Sequence, residues 1–131
     1  MVADEAISAG AVLRMSITGE AGMTPGRVVN ANAGNETDAE AMGIAVTAAA
    51  AQGNSLSVAT GGEVSILFGA APASADNGKT VYLSTSDGLG TLTPPNTTGD
   101  TVVRLGRLKG GNGADTTPTV VLNMEILILL G

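Results

Sequence analysis

The sequence predicts an all-β protein, a compact antiparallel β-sandwich or barrel with almost no helix. Short runs rich in Val, Ile, Leu and Thr recur along the chain, and clusters of Gly, Asn, Asp and Ser separate them. Several runs alternate apolar and polar residues, as half-buried strands do. A chain of 131 residues is accounted for by one domain.

Strand candidates follow one another from the N-terminal to the C-terminal part of the chain. They are Ala11–Ile17, Arg27–Ala31, Met42–Thr47, Ser55–Thr60, Glu63–Phe68, Thr80–Ser84, Gly90–Thr93, Thr101–Leu108 and Thr119–Leu130. The pair Gly61-Gly62 predicts a hairpin turn between the two candidates that flank it, because glycine adopts the positive φ that two-residue hairpin loops need.

The last candidate strand differs from the others because it is apolar on both faces beyond Met124, except at Glu125. Such a strand is buried on two sides or lies at a subunit contact. Exposed on a monomer, it would leave an aggregation-prone edge. We therefore predict an oligomer interface formed by Met124, Ile126, Leu127, Ile128, Leu129 and Leu130.

The apolar material of the chain is mostly aliphatic. Apolar residues make up 44% of the sequence, but aromatic residues only 2%, namely Phe68 and Tyr82. Large aromatic side chains bury much more surface than Ala or Val. We therefore expect a monomer of modest stability that gains further burial between subunits, as in an obligate oligomer.

The charge of the chain disfavours nucleic acid and anionic membranes as partners. The net charge is −6, whereas phosphate contacts need clustered Lys and Arg. The basic residues Arg104, Arg107 and Lys109 are predicted to be solvated or ion-paired strand residues. The apolar run Ile126–Leu130 is too short to span a bilayer, and Met1–Gly10 lacks the apolar stretch of a secretory signal.

Catalytic residue types are scarce, and we predict no enzyme activity, cofactor or metal site. The chain has no His and no Cys, which are the common general base and thiolate nucleophile. The segment Ala73–Thr80 fits a permissive phosphate-loop pattern, but a strand follows it where a helix is needed. The segment Gly110–Asp115 matches one copy of a calcium-binding glycine-rich repeat, which needs stacked copies to complete a site. Both are predicted to be turns or loops.

Five short motifs occur in a fixed order along the middle of the chain. They are Ala39-Glu-Ala-Met-Gly-Ile-Ala-Val-Thr, Gly53-Asn-Ser-Leu-Ser-Val-Ala-Thr-Gly-Gly-Glu-Val64, Gly78-Lys-Thr-Val-Tyr-Leu-Ser-Thr, Gly88-Leu-Gly-Thr-Leu-Thr-Pro-Pro and Gly99-Asp-Thr-Val-Val-Arg-Leu-Gly-Arg107. This order resembles a β-rich module of tailed-bacteriophage virion proteins, found in capsid decoration (cement) proteins and in some head or tail fibres. The resemblance covers residues 39–108.

The resemblance implies a structural role on a virus particle. Such decoration proteins bind the outside of an icosahedral shell, often as trimers, and clamp neighbouring subunits of the major capsid protein. The implied location is the outer capsid surface of a virion assembled in the host cytoplasm. The short chain favours decoration over a fibre. The alternatives are a structural module of a tail, fibre or baseplate, or a carbohydrate-binding virion module in which Tyr82 would be the only tyrosine platform.

The expected organisation is an N-terminal arm, residues 1–10, followed by a single β domain, residues 11–131. The arm has isolated apolar residues beside acids and a glycine, so we expect it to be mobile. It could become ordered by adding a strand to a capsid sheet edge. The residues predicted to contact the capsid are Val2, Asp4, Glu5 and Ile7. The alternative is a frayed terminus without a role.

Overall fold

The strands of the computed structural model, which describes residues 1–130, occur where the sequence predicts them. They are β1 (Val12–Met15), β2 (Val28–Asn30), β3 (Gly43–Ala45), β4 (Val58–Ala59), β5 (Glu63–Ser65), β6 (Thr80–Leu83), β7 (Gly90–Thr91), β8 (Thr101–Leu108) and β9 (Thr119–Leu129). The prediction of an all-β fold with almost no helix is confirmed. Gly131, the last residue of the expected β domain, lies outside the described residues.

The strands form two antiparallel sheets. The first sheet has the order β2-β1-β3-β4, and the second has the order β5-β9-β8-β6-β7. The pair β8–β9 is the longest ladder and contains two register shifts. Gly106 lies at one of them, where a Cβ atom would come within 1.9 Å of the Val121 carbonyl oxygen. This close approach requires glycine.

The main core lies between the two sheets. Val12 and Ile44 come from the first sheet and pack with residues of the second sheet, including Leu83 and Leu105. The remaining large, fully buried side chains of this cluster are Ile66, Val81, Val103 and Val120. The alternation predicted for the fifth candidate strand is visible here, since Ile66 and Phe68 are buried and Val64 packs beside them.

A second, smaller core covers the other face of the first sheet. Ala3 and Ile7 of the N-terminal segment pack against Leu13, Ala45 and nearby residues. Ile7 is only 3% exposed, and its backbone N–H donates to the Ala49 carbonyl at 2.8 Å. The segment is therefore packed against the first sheet in this structure, whereas the sequence predicts a mobile arm separate from a β domain that starts at residue 11. Residues 1–10 are part of the fold because they cover an apolar sheet face that water would otherwise contact.

The turn at Gly61-Gly62 does not close a hairpin. It joins β4, at the edge of the first sheet, to β5, at the edge of the second. The two strands pair with β3 and β9 respectively, and not with each other. The hairpin prediction is wrong because a glycine turn allows a reversal but does not decide which strand becomes the hydrogen-bonding neighbour.

The segments that match a phosphate loop, residues 73–80, and a calcium-binding repeat, residues 110–115, form a turn and a loop. Within residues 1–130, the only helical element is a 3-10 turn at Ser74–Asp76. It leads through Asn77 and Gly78 into β6, as predicted for a turn that enters a strand rather than a phosphate-binding loop. In the 110–115 segment, the side chain of Asn112 accepts hydrogen bonds from the N–H groups of Ala114 and Asp115.

Candidate functional site

The predicted capsid-contact residues are held against the fold to different degrees. Asp4 and Ile7 are buried, Ile7 in the second core and Asp4 among loop residues, so in this arrangement neither offers surface to a partner. Glu5 is half-buried and accepts hydrogen bonds from the backbone and side chain of Asn30. Val2 is the most exposed of the four, and its carbonyl accepts from the Val28 N–H at 3.0 Å. Of the four residues predicted to contact the capsid, only Val2 and Glu5 have solvent-exposed surface that a partner could touch.

Asp4 organises the loops around the N-terminal segment. Its carboxylate accepts hydrogen bonds from the Gln52 amide at 2.9 Å, the Thr24 N–H at 2.6 Å and the Ser16 hydroxyl at 2.9 Å. The guanidinium of Arg27 lies 3.9 Å away. The hydrogen bond from Gln52, followed by those from Thr24 and Ser16, lowers the pKa of Asp4 despite the opposing effect of burial. This buried carboxylate therefore fastens the N-terminal segment to two loops.

A second buried ionic cluster lies near the end of β1, and sequence reasoning did not anticipate it. The side chain of Arg14 donates to both carboxylate oxygens of Glu20 and also lies 3.0 Å from Asp38. The hydrogen bonds from Arg14, with one from the Ile17 N–H, lower the pKa of Glu20 to about 2. The carboxylates in turn raise the pKa of Arg14. The cluster pairs the terminal nitrogens of a nearly buried guanidinium, whose Nε is buried without a hydrogen-bond partner, so its role is structural.

The predicted oligomer interface, residues 124–130, is called the C-terminal strand end. Its first residue, Met124, packs against the main core. Beyond it the apolar side chains are open to solvent, with exposed fractions of 53% for Ile126, 46% for Leu127, 55% for Ile128 and 49% for Leu129. Their neighbours on β8 are buried: Val103, opposite Ile126, is 1% exposed. At this end of the sheet β8 is therefore covered, whereas β9 beside it is open to solvent.

One backbone edge of the C-terminal strand end is also unpaired. β5 pairs with Thr119, Val120 and Val121, and the Leu122 N–H donates to the Gly62 carbonyl at 2.9 Å. Within residues 1–130, no other strand pairs with the edge of β9 beyond Leu122 on the side opposite β8. An apolar strand with a free edge is an attachment point for another chain.

Two basic residues of the second sheet are ion-paired, as the sequence predicts, and a third is hydrogen-bonded to the backbone. Arg104 pairs with Glu125 at 2.5 Å, and Lys109 pairs with Glu63. Arg107 donates to the Gly78 carbonyl at 3.0 Å. All three groups are exposed or half-buried, so these contacts contribute little to stability. The two ion pairs neutralise the charges of Arg104 and Glu125 beside the C-terminal strand end and of Lys109 and Glu63 beside β5.

A cavity of about 500 Å³, called here the inter-sheet slot, lies between the open edges of the two sheets. Its walls come from the segment before β1, from β3 and β4, and from β5. The lining residues are Ala9, Gly10, Ile44, Ala45, Val46, Ala59, Gly61, Glu63, Val64, Ser65 and Thr117. Sequence reasoning missed the slot because it paired the strands on either side of Gly61-Gly62.

Gly10 closes one end of the inter-sheet slot by connecting the two sheets. Its N–H donates to the Ala45 carbonyl at 2.7 Å, and its carbonyl accepts from the Leu67 N–H at 2.9 Å. Gly10 has a φ of +87°, and a Cβ atom would lie 3.0 Å from the Leu67 nitrogen. Both the conformation and the space favour glycine at this position.

The acidic side chains show no arrangement typical of a metal centre. Among residues 1–130, no three Asp or Glu side chains lie close enough together to hold a metal ion. Nor does that part of the chain contain a helix with the length and apolar character needed to cross a membrane. Comparison of the chain with protein-family models, curated proteins and solved structures gave no significant match.

Proposed function

We propose that the chain is a virion structural protein that binds the outer surface of an icosahedral bacteriophage capsid. In this role it acts as a homotrimer, bridges subunits of the major capsid protein and carries out no catalysis. The observation that carries the proposal is the C-terminal strand end, whose apolar side chains are exposed on both faces of a strand with a free edge. A protein that works alone has no use for this surface, whereas a protein that works in an assembly does.

The turns of the phage-like motifs support the same proposal. Gly88 has a φ of +73°, and a Cβ atom there would lie 2.5 Å from the Asn30 side-chain oxygen. Gly99 has a φ of +95°, and its N–H donates to the Leu130 carbonyl at 2.7 Å. The motif glycines therefore shape the fold, and the second one fixes the end of β9 beside β8. The resemblance thus includes glycines that the backbone conformation of this fold favours.

The scarcity of aromatic residues favours many weak contacts over one strong patch. Binding energy at protein interfaces is concentrated at Trp, Tyr and Arg, and this chain has one Tyr, no Trp and a few Arg residues. Linking several weak contacts in one oligomer makes the later contacts intramolecular and raises the overall affinity. A trimer on a shell of repeated subunits would use this effect.

The proposal is tested by mixing the purified protein with undecorated capsids assembled from the major capsid protein of the same virus. We expect co-sedimentation at a fixed ratio to capsid subunits and a higher temperature of capsid disruption. Lysozyme, or another protein of similar size without affinity for capsids, controls for trapping in the pellet. Absence of the protein from the pellet at micromolar concentration would reject the capsid role.

Labelling of intact virions separates the proposal from its rivals. We expect a gold-labelled antibody against the chain to decorate the head. Signal at the tail alone would show a tail or baseplate module. Glycan-array binding that Tyr82→Ala abolishes would show a carbohydrate-binding module instead.

A further inference from the structure

We propose that the inter-sheet slot of one copy receives the C-terminal strand end of a second copy, which adds to the free edge of β5. This inference rests on the proposed homotrimer and names the contact that would build it. The chain contains both halves of the contact: an apolar strand whose side chains and outer edge are uncovered, and a largely apolar slot between two sheet edges.

The backbone of β5 offers unpaired groups to the slot. The Gly62 carbonyl accepts from Leu122, and the Ile66 N–H donates to the Pro118 carbonyl, so the even-numbered residues of this segment bond to the β9 side. In an antiparallel ladder the intervening residues point the opposite way. The N–H and C=O groups of Glu63 and Ser65 therefore face the slot, and within residues 1–130 no backbone hydrogen bond from another segment reaches them there.

Gly10 shows how a backbone fits between the two sheets. It donates to Ala45 of the first sheet and accepts from Leu67, which lies on the same edge of the β5 segment as Ser65. An extended segment in the slot would continue this pattern from Leu67 to Ser65 and Glu63. The structure thus contains one residue of the arrangement that a docked strand would extend.

The C-terminal strand end has the chemistry that the slot requires. The slot walls at Ala45, Ala59 and Val64 are small and apolar, and the strand end supplies Ile and Leu side chains that are about half exposed. Seven extended residues span roughly 24 Å at about 3.4 Å per residue, so the outer edge of the strand end is longer than the stretch 63–67 along which it would pair.

Charge does not oppose the contact. Glu63, at the slot, is paired with Lys109, and Glu125, in the strand end, is paired with Arg104. No carboxylate at either side would have to be buried without a partner. The contact joins two different patches, so it is heterologous, and repeated copies close into a ring where the rotation permits.

Cross-linking between copies tests the inference, since the natural chain has no cysteine. Two single variants, Ser65→Cys in the slot and Ile128→Cys in the strand end, are mixed and treated with a short bismaleimide, whose reach covers a small difference in register. We expect cross-linked dimers in the mixture, and dimers and trimers in the double variant. Ile17→Cys replaces an equally exposed apolar residue outside the slot and strand end and, mixed with Ser65→Cys, should give none.

A proline substitution provides a second test that does not depend on the cross-linker. Ser65→Pro removes an N–H that faces the slot, and proline is tolerated at such an edge position. We expect it to keep the far-UV circular dichroism spectrum and lose the oligomer. Val64→Pro, which removes an N–H facing β9, should instead disturb the fold.

The outcomes separate this inference from the proposed function. An intact oligomer without Ser65–Ile128 cross-links, or with cross-links only between two Ile128→Cys chains, would overturn docking in the slot and leave capsid binding as a separate question. A monomer at micromolar concentration would overturn both the docking and the trimer. Slot cross-links in a protein that does not sediment with capsids would confirm the docking and reject the capsid role alone.

Discussion

The carboxylate of Asp4 and the hydroxyl of Ser16 form a buried hydrogen bond of 2.9 Å. The bond joins the N-terminal segment to the residue that follows β1. Through the same carboxylate the segment is also connected to Gln52 and to the N–H of Thr24. Three separate parts of the chain therefore depend on one acidic side chain for their positions.

Replacement of Asp4 by alanine should loosen the N-terminal segment. The Ser16 hydroxyl and the Thr24 N–H would lose their acceptor, and the Gln52 amide would keep only the Gly22 carbonyl. A buried donor without a partner, as the Ser16 hydroxyl would be, destabilises the folded state. We expect Tm to fall by several degrees and the amide of Ile7 to exchange faster with solvent, measured by a thermal melt and by hydrogen exchange. Glu36→Gln, at an exposed acid that makes no hydrogen bond within residues 1–130, is the control. Equal melting of the two variants would contradict the role given to Asp4.

Glu20 should make the protein sensitive to acid. Hydrogen bonds from Arg14 hold the pKa of Glu20 at about 2, below its ordinary value of 4.5. Because the folded pKa is lower than the unfolded one, the ionised carboxylate stabilises the folded state above about pH 4.5. This contribution is lost as the pH falls from about 4.5 towards 2. We expect Tm to fall over that range in the natural protein.

The variant Glu20→Gln should show a smaller fall in Tm over the same range, together with a lower Tm at neutral pH. The neutral amide cannot form the ion pair with Arg14, so the variant lacks the contribution that acid removes. Glu36→Gln should keep the pH dependence of the natural protein. An unchanged slope in Glu20→Gln would show that other carboxylates account for the acid sensitivity.

The sequence was sufficient to locate the strands but not to decide their neighbours. Alternation and turn residues are local signals, and they placed β8 at Thr101–Leu108 with the bounds that the structure has. Pairing depends on contacts between distant residues, which no local pattern records. Gly61-Gly62 therefore marked a real turn but was assigned to the wrong connection.

The N-terminal segment shows a second limit of local patterns. Its buried residues, Ala3 and Ile7, are small or isolated among polar ones, so they have no helical or strand periodicity. They are buried because the outer face of the first sheet is apolar and the N-terminal segment packs against it. The exposed apolar surface of the C-terminal strand end was easier to anticipate, because its apolar residues are consecutive and point to both faces of the strand.

Gly106 should not tolerate even a methyl group. A Cβ atom at Gly106 would lie 1.9 Å from the Val121 carbonyl oxygen, and backbone atoms of β9 cannot move aside without breaking the β8–β9 ladder. We expect Gly106→Ala to lower the free energy of unfolding by about 3 kcal/mol or more, measured in urea. Gly69→Ala is the control, since its Cβ would meet only Leu89 at 3.7 Å. A change there should stay within about 0.5 kcal/mol.

The C-terminal strand end should control assembly without controlling the fold of the monomer. Ile128 is 55% exposed on the single chain, so Ile128→Lys places a charge where the monomer already meets water. In an oligomer that covers Ile128 the same charge would be buried without a partner, which is costly. We expect the natural protein to have the mass of an oligomer and a Tm that rises with protein concentration, as linked assembly requires.

The variant Ile128→Lys should be monomeric, with a Tm independent of concentration and an unchanged circular dichroism spectrum. Ile17→Lys changes an apolar residue of similar exposure away from the strand end and should keep the mass of the natural protein. Sedimentation equilibrium at several concentrations measures all three. If sedimentation equilibrium gave the natural protein and Ile128→Lys the same mass, the strand end would not be the contact that joins copies of this chain.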